Sequence, residues 1–324
     1  MSTPDSSTAQ STNEPIEQGS SLWHDAWLRL RKNHIAVVSA VLLILIFAAC
    51  YLLPLLMDLP DPNAINLNNR SAGPGAEHWL GTAHLGRDLF ARILDGGQIS
   101  LLVALATTLV SATIGVLYGS IAGYVGGRTD AWMMRWVDVL YALPFLVLVI
   151  LFSLWVSTYT GKMTDFFTDL LHADRQSVYR FTSLVPLFIA IGAIGWLNMA
   201  RIVRAQVQGL RKQEFVEAAR SLGLSNSRIL FRHILPNTLG PVIVYTTLTV
   251  PGIMLFEAIL SFLGLGVEPP NSSWGILIKE GADRMEVNSN LLLYPSIVFS
   301  VTLLALNFLG DGLRDALDPK SAKD

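Results

Sequence analysis

Six long apolar stretches divide the chain into segments of membrane-spanning length. They cover residues 35–57, 99–125, 139–159, 183–200, 241–267 and 291–310. Glu257 is the one charged residue within them. A bilayer core of about 30 Å needs about 20 residues of helix at about 1.5 Å each. The pattern therefore predicts an all-α integral membrane protein with six transmembrane helices. A first helix at 35–57 is followed by an outside loop at 58–98 and a core with five further helices at 99–310.

The basic residues between these stretches predict the orientation of the chain. Cytoplasmic loops of membrane proteins carry an excess of Lys and Arg. If both termini are cytoplasmic, 15 of the 23 Lys and Arg fall in the inside segments, which are the start of the chain, 126–138, 201–240 and 311–324. We therefore predict six spans with both termini in the cytoplasm, and a cytoplasmic tail at 311–324.

The start of the chain has two parts. Residues 1–21 are rich in Ser, Thr, Gln and Pro and poor in apolar side chains, which predicts a disordered cytoplasmic tail. Residues 22–34 predict an amphipathic interfacial helix, because apolar side chains recur at helical spacing: Trp23, Ala26, Trp27 and Leu30. Such a helix lies either in the cytoplasmic membrane interface or against the protein's own loops, and the spacing leaves both alternatives open.

Composition and charge narrow the classes of function. Only 15% of the 324 residues are charged, 52% are apolar, and the net charge of −2 excludes a polycation that coats nucleic acid. Phosphate-loop, zinc-protease and serine-hydrolase motifs are absent, and the six histidines are scattered. We therefore predict no catalytic residue, no metal and no cofactor in this chain. The energy for any transport then comes from a partner or from an ion gradient.

Glu257 is the only ionisable residue within the predicted spans. It follows the pair Pro251-Gly252, which is predicted to interrupt the fifth span. A charged group inside a bilayer is costly and marks either a translocation pathway or a buried packing contact, and both alternatives are open here. Because one acid makes no proton or ion relay, the pattern disfavours an ion-coupled secondary transporter.

Small residues recur at every fourth position of the second span. They are Ser111, Gly115, Gly119 and Gly123. Small residues on one helical face let two backbones approach closely, which drives helix association in lipid. We predict a helix-packing stripe, either within the chain or against a second membrane subunit.

The longest predicted inside loop, 201–240, has the pattern of a docking element. We predict a helix at 212–222, a left-handed turn at Gly223, a helix cap at Ser225 and a helix end at Pro236. The first helix has an apolar and a polar face: Phe215, Ala218, Ala219 and Leu222 against Glu214, Glu217 and Ser221. The stretch also resembles a helix-turn-helix DNA reader, but attachment to a span at each end leaves it no freedom to enter a groove. Docking to a partner protein is the prediction.

This loop resembles the EAA loop of the membrane subunits of ABC importers, written E-A-A-x3-G-x9-I-x-L-P. The matching residues are Glu217-Ala218-Ala219, Gly223 and Leu235-Pro236, while His233 stands where the general pattern has Ile. Segments 81–88, 123–135 and 261–275 are similar to the C-type subunits of the peptide and nickel permease group. Residues 199–204 and 310–320 are most similar to its oligopeptide members. The resemblance covers roughly residues 20–320.

The resemblance implies a type I ABC importer permease fold in the bacterial inner membrane, with loop 58–98 in the periplasm. The implied partners are a homologous second permease subunit, two cytoplasmic ATPase subunits that hold ATP and Mg, a periplasmic substrate-binding protein, a peptide substrate and the lipid bilayer. The ATPases would dock on the coupling helix, at Glu214, Phe215, Glu217, Ala218, Ala219, Gly223 and Pro236.

The resemblance also implies the activity. ATP hydrolysis by the partners would drive alternating access of the pathway, with no covalent chemistry in this chain. Oligopeptides are the expected cargo, while dipeptides, nickel and antibiotic peptides stay open. The outside loop at 160–182 is longer than that of the family, which predicts a changed contact with the binding protein.

Overall fold

The computed structural model describes residues 22–317 of the chain. The predicted tail at 1–21 and the side chain of Trp23 lie outside the described residues, as do positions 318–324. The α-helices are α1 (Leu22–Lys32), α2 (His34–Leu56), α3 (Leu89–Val125), α4 (Gly127–Ala142), α5 (Phe145–Ser157), α6 (Thr160–Leu171), α7 (Arg175–Thr182), α8 (Val185–Leu210), α9 (Glu214–Ser221), α10 (Asn226–Ile229), α11 (Leu235–Phe262), α12 (Trp274–Ala282) and α13 (Asn290–Leu317). A π-helical turn, Leu230–Ile234, joins α10 to α11.

Between residues 22 and 317, five helical stretches are long and apolar enough to cross a membrane. They are His34–Leu56, Leu89–Val125, Arg175–Leu210, Asn226–Phe262 and Asn290–Leu317. The pair formed by α4 and α5 makes a sixth if it is counted as one span. The predicted all-helical membrane fold is confirmed, and the number of candidate spans agrees with six on that count.

The third predicted span, at 139–159, is wrong as a single helix. It is broken at Leu143 and Pro144, where α4 and α5 meet at 91°. Leu143 is extended, with φ −82° and ψ 145°, because the ring of a following proline disfavours helical backbone. With 13 residues, α5 is about 20 Å long, which is shorter than a bilayer core.

Several helices extend beyond the predicted ends of their spans. α3 begins at Leu89, α8 continues to Leu210 inside the predicted loop, and α13 continues to Leu317 inside the predicted tail. A charged residue ends an apolar run but does not end a helix, because arginine is a good helix former. Arg92 in α3 pairs with Glu280, and Arg204 in α8 pairs with Asp130.

Two predicted helix breaks at prolines are also wrong. α11 passes through Pro251-Gly252 without interruption, and Pro236 lies in its first turn instead of ending the preceding helix. A proline in the first turn needs no backbone donor, so it costs little there. The helical hydrogen-bond pattern changes instead in the π-helical turn between α10 and α11. There the backbone N–H of Leu235 donates to the carbonyl of Leu230, five residues earlier.

The core lies between α3, α8, α11, α12 and α13, and Trp274 is buried within it. This side chain is fully buried, its indole Nε1 donates to the carbonyl of Ile93 at 2.9 Å, and its backbone N–H donates to Ser100 Oγ at 3.2 Å. A Cβ at Gly97 would come within 2.7 Å of the indole ring, so glycine is needed for this approach. By contrast, large apolar side chains such as Leu55 and Leu109 are 81% and 67% exposed, as expected for a surface in contact with lipid.

The segments between the spans come together in two groups. The three predicted outside loops meet through Arg92 with Glu280 and through Arg180 with Asn271. At the other end, Tyr124 Oη donates to Asn226 Oδ1 at 2.9 Å, which joins α3 to α10.

The first two helices pack on α13. The start of α2 lies so close to α13 that a Cβ at Gly312 would meet Ala36. α1 packs on α13 and buries Ala26, while Trp27 is 58% exposed, so α1 has both a protein-facing and an open side.

Candidate functional site

The predicted docking helix is α9, and its faces differ from the predicted ones. Val216 and Ala219 are buried, whereas Phe215, Ala218 and Leu222 are exposed, Leu222 by 80%. Only Ala219 of the predicted apolar face points inward. The sequence analysis missed Val216, although its spacing of three from Ala219 is a helical one.

The outward side of α9 therefore combines apolar and acidic side chains. Glu214 and Glu217 are exposed beside Phe215 and Ala218. The acids lie in the first turn of the helix, where the helix dipole favours negative charge. An exposed apolar strip with acidic neighbours is a surface that a protein partner can cover.

Gly223 ends α9 in the left-handed conformation that was predicted, with φ +74°. Its N–H donates to the carbonyl of Arg220 at 2.9 Å, and the N–H of Leu224 donates to the carbonyl of Ala219 at 3.2 Å. This pair of bonds is a Schellman motif. A Cβ at Gly223 would meet no atom within 4 Å, so glycine is required there by backbone conformation and not by space. Ser225 caps α10 as predicted, accepting from the N–H of Arg228.

α9 rests on a small apolar cluster at the ends of the spans. The cluster joins Val216 and Ala219 to α8, to the π-helical turn and to α11: Met199, Val203, Val207, Ile229, Leu230, Ile234 and Val242. Tyr124, at the end of α3, belongs to the same cluster and bonds Asn226. α9 is therefore attached to three long helices through packed side chains.

Ion pairs hold the bent span against α8. Arg204 Nη2 donates to Asp130 Oδ2 at 2.6 Å, and Gln208 Nε2 donates to the same oxygen at 2.9 Å. One turn away in α8, Arg201 Nη2 donates to Asp138 Oδ1 at 2.7 Å, and its guanidinium lies 4.3 Å from the centre of the Tyr141 ring. Because α4 carries both acids, it is coupled to α8 rather than free to move alone.

A cavity of about 500 Å³ lies beside the break between α4 and α5. Residues of α4, α5, α8 and α11 line it: Leu140, Tyr141, Leu143, Phe145, Ile191, Ile194, Gly195, Leu197, Asn198, Leu248, Thr249, Gly252, Ile253 and Phe256. The lining contains no charged side chain. Its polar side chains are those of Tyr141, Asn198 and Thr249, and Asn198 is exposed in the apolar first part of α8.

The comparisons with known proteins agree with this architecture. Residues 115–323 match the family described as binding-protein-dependent transport system inner membrane component. Residues 21–74 match the N-terminal TM domain of oligopeptide transport permease C. The chain belongs to this family of inner-membrane transport components.

Three curated relatives show how far the similarity extends. The oligopeptide transport system permease protein OppC of Haemophilus influenzae is 45% identical, over 94% of this chain and 90% of the relative. The protein of the same name in Escherichia coli is 43% identical, over 99% of both chains. The dipeptide transport system permease protein DppC of Bacillus subtilis is 39% identical, over 91% of this chain and 85% of the relative. This permease is accordingly a multi-pass protein of the inner membrane, and the predicted resemblance is confirmed.

Glu257 lies in the interior of this permease and outside the cavity lining. Its side chain is fully buried, accepting from Ser261 Oγ at 2.7 Å and from Ser100 Oγ at 3.1 Å. Ser273 Oγ donates to Ser261 Oγ at 3.3 Å and extends the network to the start of α12. The carboxylate thus joins α3, α11 and α12, which is the geometry of a packing contact.

The small-residue stripe of α3 packs against α8, within the chain. A Cβ at Gly115 would lie 2.5 Å from Met199 Cβ, and one at Gly123 would lie 2.7 Å from the carbonyl oxygen of Arg204. A Cβ at Gly119 would meet the carbonyl oxygen of Ala200, and Ser111 faces Gly195. Of the two alternatives that the sequence left open, the internal one applies to these four positions.

Sequence analysis missed several of the residues that organise these sites. Asp130 and Asp138 could have been noticed as acids near the ends of predicted spans. Nothing in the sequence pattern indicated that they pair with Arg204 and Arg201. Asn198 could have been noticed as a lone amide in an apolar run. The cavity itself had no sequence signal, because four helices that are distant in the chain form it.

Proposed function

We propose that this chain is one of two permease subunits of an ABC importer for oligopeptides, with α9 as the docking helix for a partner ATPase. The observation that carries the proposal is the arrangement of α9, whose apolar and acidic outer side is exposed while Val216 and Ala219 attach it to the spans. The 40–45% identity to oligopeptide permeases supports the cargo. Both termini and α9 would face the cytoplasm, and ATP and Mg would be bound by the ATPases.

The proposed mechanism is a rigid-body one. Closure of the two ATPases on ATP moves α9, and the cluster beneath it passes the motion to α8, to α11 and, through Tyr124, to α3. α4 follows α8 because of the Arg204 and Asp130 pair. The break at Leu143 and Pro144 then changes its position relative to α11, so the pathway alternates between the two sides of the membrane.

The cavity beside this break is the proposed contact region for the peptide in transit. Its uncharged wall suits side chains of varied chemistry, because no fixed charge selects or repels them. Tyr141, Asn198 and Thr249 offer hydrogen bonds to a peptide backbone. Glu257 is proposed as a packing residue, since its oxygens are engaged by Ser100 and Ser261. A second permease subunit and a periplasmic binding protein would complete the pathway.

The coupling role of α9 is tested at Gly223. In Gly223→Ala the methyl group meets open space, but the left-handed backbone costs about 1–2 kcal/mol, so the turn relaxes and the docking helix shifts. We expect peptide uptake per ATP hydrolysed to fall in proteoliposomes that contain the whole complex and its binding protein.

Gly209→Ala is the matched control for this test. Gly209 also has open space around its Cβ, but it lies within α8 and has ordinary helical backbone. An uptake-to-hydrolysis ratio that stays equal in both variants and in the unmodified complex would count against the docking role.

The cargo is tested separately, by stimulation of ATP hydrolysis with peptides of two to eight residues and with nickel. Uptake that stops when an uncoupler is added while ATP is maintained would favour the ion-coupled alternative.

A further inference from the structure

The hairpin of α6 and α7, within the outside loop at 160–182, has an unusual distribution of polar and apolar side chains. Threonines are buried at its centre: Thr164 is fully buried and its hydroxyl lies 2.7 Å from the hydroxyl of Thr182. Thr160 is also buried, and Thr164 donates to its carbonyl at 2.8 Å. α6 thus packs on α7 through hydroxyl groups and not through its large apolar residues.

Those large apolar residues of α6 are exposed. Phe166, Leu170 and Leu171 are 61%, 60% and 63% exposed, and Phe167 is 39% exposed. At 100° per residue these side chains share one side of the helix with Met163. A helix at a water-exposed protein surface normally buries phenylalanine and leucine and exposes threonine, and α6 does the reverse.

A third side of α6 carries its charges. Lys162, Asp165 and Asp169 lie together within about 60° on the wheel, between the end of the apolar arc and the side of Thr164. All three are exposed, and Asp165 Oδ1 is 3.1 Å from Arg175 Nη2. α6 is therefore a three-sided helix with a protein side, an apolar side and a water side.

α6 closely follows α5, a helix whose exposed apolar residues are typical of a membrane-facing surface. α5 presents an exposed apolar stripe at helical spacing, with Leu151 at 57%, Leu154 at 51% and Trp155 at 61%. Only two residues, Thr158 and Tyr159, separate α5 from α6. Trp155 and Tyr159 form an edge-to-face pair at this junction, and these are the residue types that concentrate where a bilayer meets water.

We propose that α6 lies along the outer surface of the membrane, with Phe166, Phe167, Leu170 and Leu171 inserted at the boundary between headgroups and acyl chains. Lipid is the occupant because α6 follows the apolar α5 and the Trp155–Tyr159 pair, residue types that mark the level of the membrane surface. The charged side faces the periplasm. Insertion anchors α7, whose Arg180 contacts Asp95 of α3 and bonds Asn271 before α12. α6 is thus a lipid anchor for the outer ends of the spans.

Spin labels on single cysteines in the complete importer test this proposal. Cys50 is the only native cysteine and is buried, and a Cys50→Ala background removes it. Nitroxides are placed at Phe166→Cys and Leu170→Cys, with Asp169→Cys as the control on the charged side. The complex, with cysteine-free partners, is reconstituted in nanodiscs of phosphatidylethanolamine and phosphatidylglycerol. Collision with oxygen reports lipid and collision with a neutral nickel chelate reports water.

At 166 and 170 we expect oxygen to relax the label more than the nickel chelate does, and at 169 the reverse. The two apolar positions should also report equal depth. If α6 ran along the membrane normal, their depths would differ by about 6 Å, one helical turn, and the proposed orientation would be wrong. Higher collision with nickel at 166 and 170 would show that this side faces water. Low collision with both reagents would show that a partner protein covers it, and either result overturns the proposal. Retained ATP hydrolysis shows that each labelled complex is folded.

Discussion

Replacing Gly115 by alanine tests whether the close contact of α3 and α8 limits stability. The added Cβ would lie 2.5 Å from Met199 Cβ, 2.8 Å from Met199 Cγ and 2.9 Å from the carbonyl oxygen of Trp196. Carbon atoms pack best at about 3.5–4.0 Å, so the two helices must separate by about 1 Å. Overpacking of this kind costs about 1–3 kcal/mol, while alanine in place of glycine favours the helix by about 1 kcal/mol.

Gly252→Ala separates these two contributions. Gly252 lies in the middle of α11 and is followed by Ile253, and a Cβ there would meet no atom within 4 Å, so this variant gains the helix propensity without the clash. The difference between the two variants is then the overpacking term alone, about 1–3 kcal/mol or about 5- to 150-fold in the folding equilibrium.

The assay is the thermal midpoint of the assembled complex, followed by size-exclusion chromatography in detergent. We expect the order Gly252→Ala, unmodified, Gly115→Ala, from highest to lowest midpoint. Equal midpoints for the two variants would refute the reasoning, because they would show that α3 and α8 can separate at no cost. A Gly119→Ala variant, whose Cβ would meet the carbonyl oxygen of Ala200, should be at least as destabilised as Gly115→Ala.

Two carboxylates give the remaining predictions. Glu257→Gln should lower the yield of assembled complex but not peptide uptake per complex. The substitution places an amide donor where Ser100 and Ser261 already donate, at a cost of about 1–3 kcal/mol. The opposite pattern, a normal yield with reduced uptake per complex, would restore the pathway role. For Glu280, burial alone would raise the pKa, but the hydrogen bonds and charge of Arg92 and the charge of Arg87 outweigh it and hold the pKa below the ordinary 4.5. A lowered folded-state pKa contributes stability above the unfolded value and loses it as the pH falls, so the thermal midpoint should drop below about pH 4.5. Glu280→Gln should lower the midpoint at neutral pH, because Arg92 stays buried without its anion, and should reduce this acid dependence; an unchanged acid dependence would contradict the assignment.

The spans were predictable because the bilayer imposes one strong requirement. A helix that crosses lipid must be apolar for about 20 residues, and this constraint is local in the sequence. The turn at Gly223 and the cap at Ser225 were predictable for a similar reason, since each depends on one residue's own conformation or hydrogen bond. The ends of α3 and α8 were not, because the predicted limits followed the apolar runs, whereas the helices continue through Arg92 and Arg204, whose charges pair with residues far away in the chain.

The docking helix shows where local reasoning fails. The spacing of its residues correctly predicted a helix and a turn. However, an amphipathic pattern identifies the buried side of a helix only when the more apolar side is the one that packs on the protein. Here Val216 and Ala219 face inward and the larger Phe215 and Leu222 face outward, so burial was assigned to the wrong side. A surface built for a partner protein keeps apolar residues exposed until the partner covers them.

The sequence by itself determined the membrane class, the approximate spans, the family and the position of the helix that we propose as the docking element. These depend on apolar length, on backbone conformation and on short motifs, all of which are local. Tertiary structure alone decided that the glycine stripe packs on α8, that Glu257 is engaged by serines and that the bent span opens beside a cavity. Each of these depends on which helices touch, and contacts between residues more than a hundred positions apart, such as Ser100 with Glu257, leave no periodic signal in a single chain.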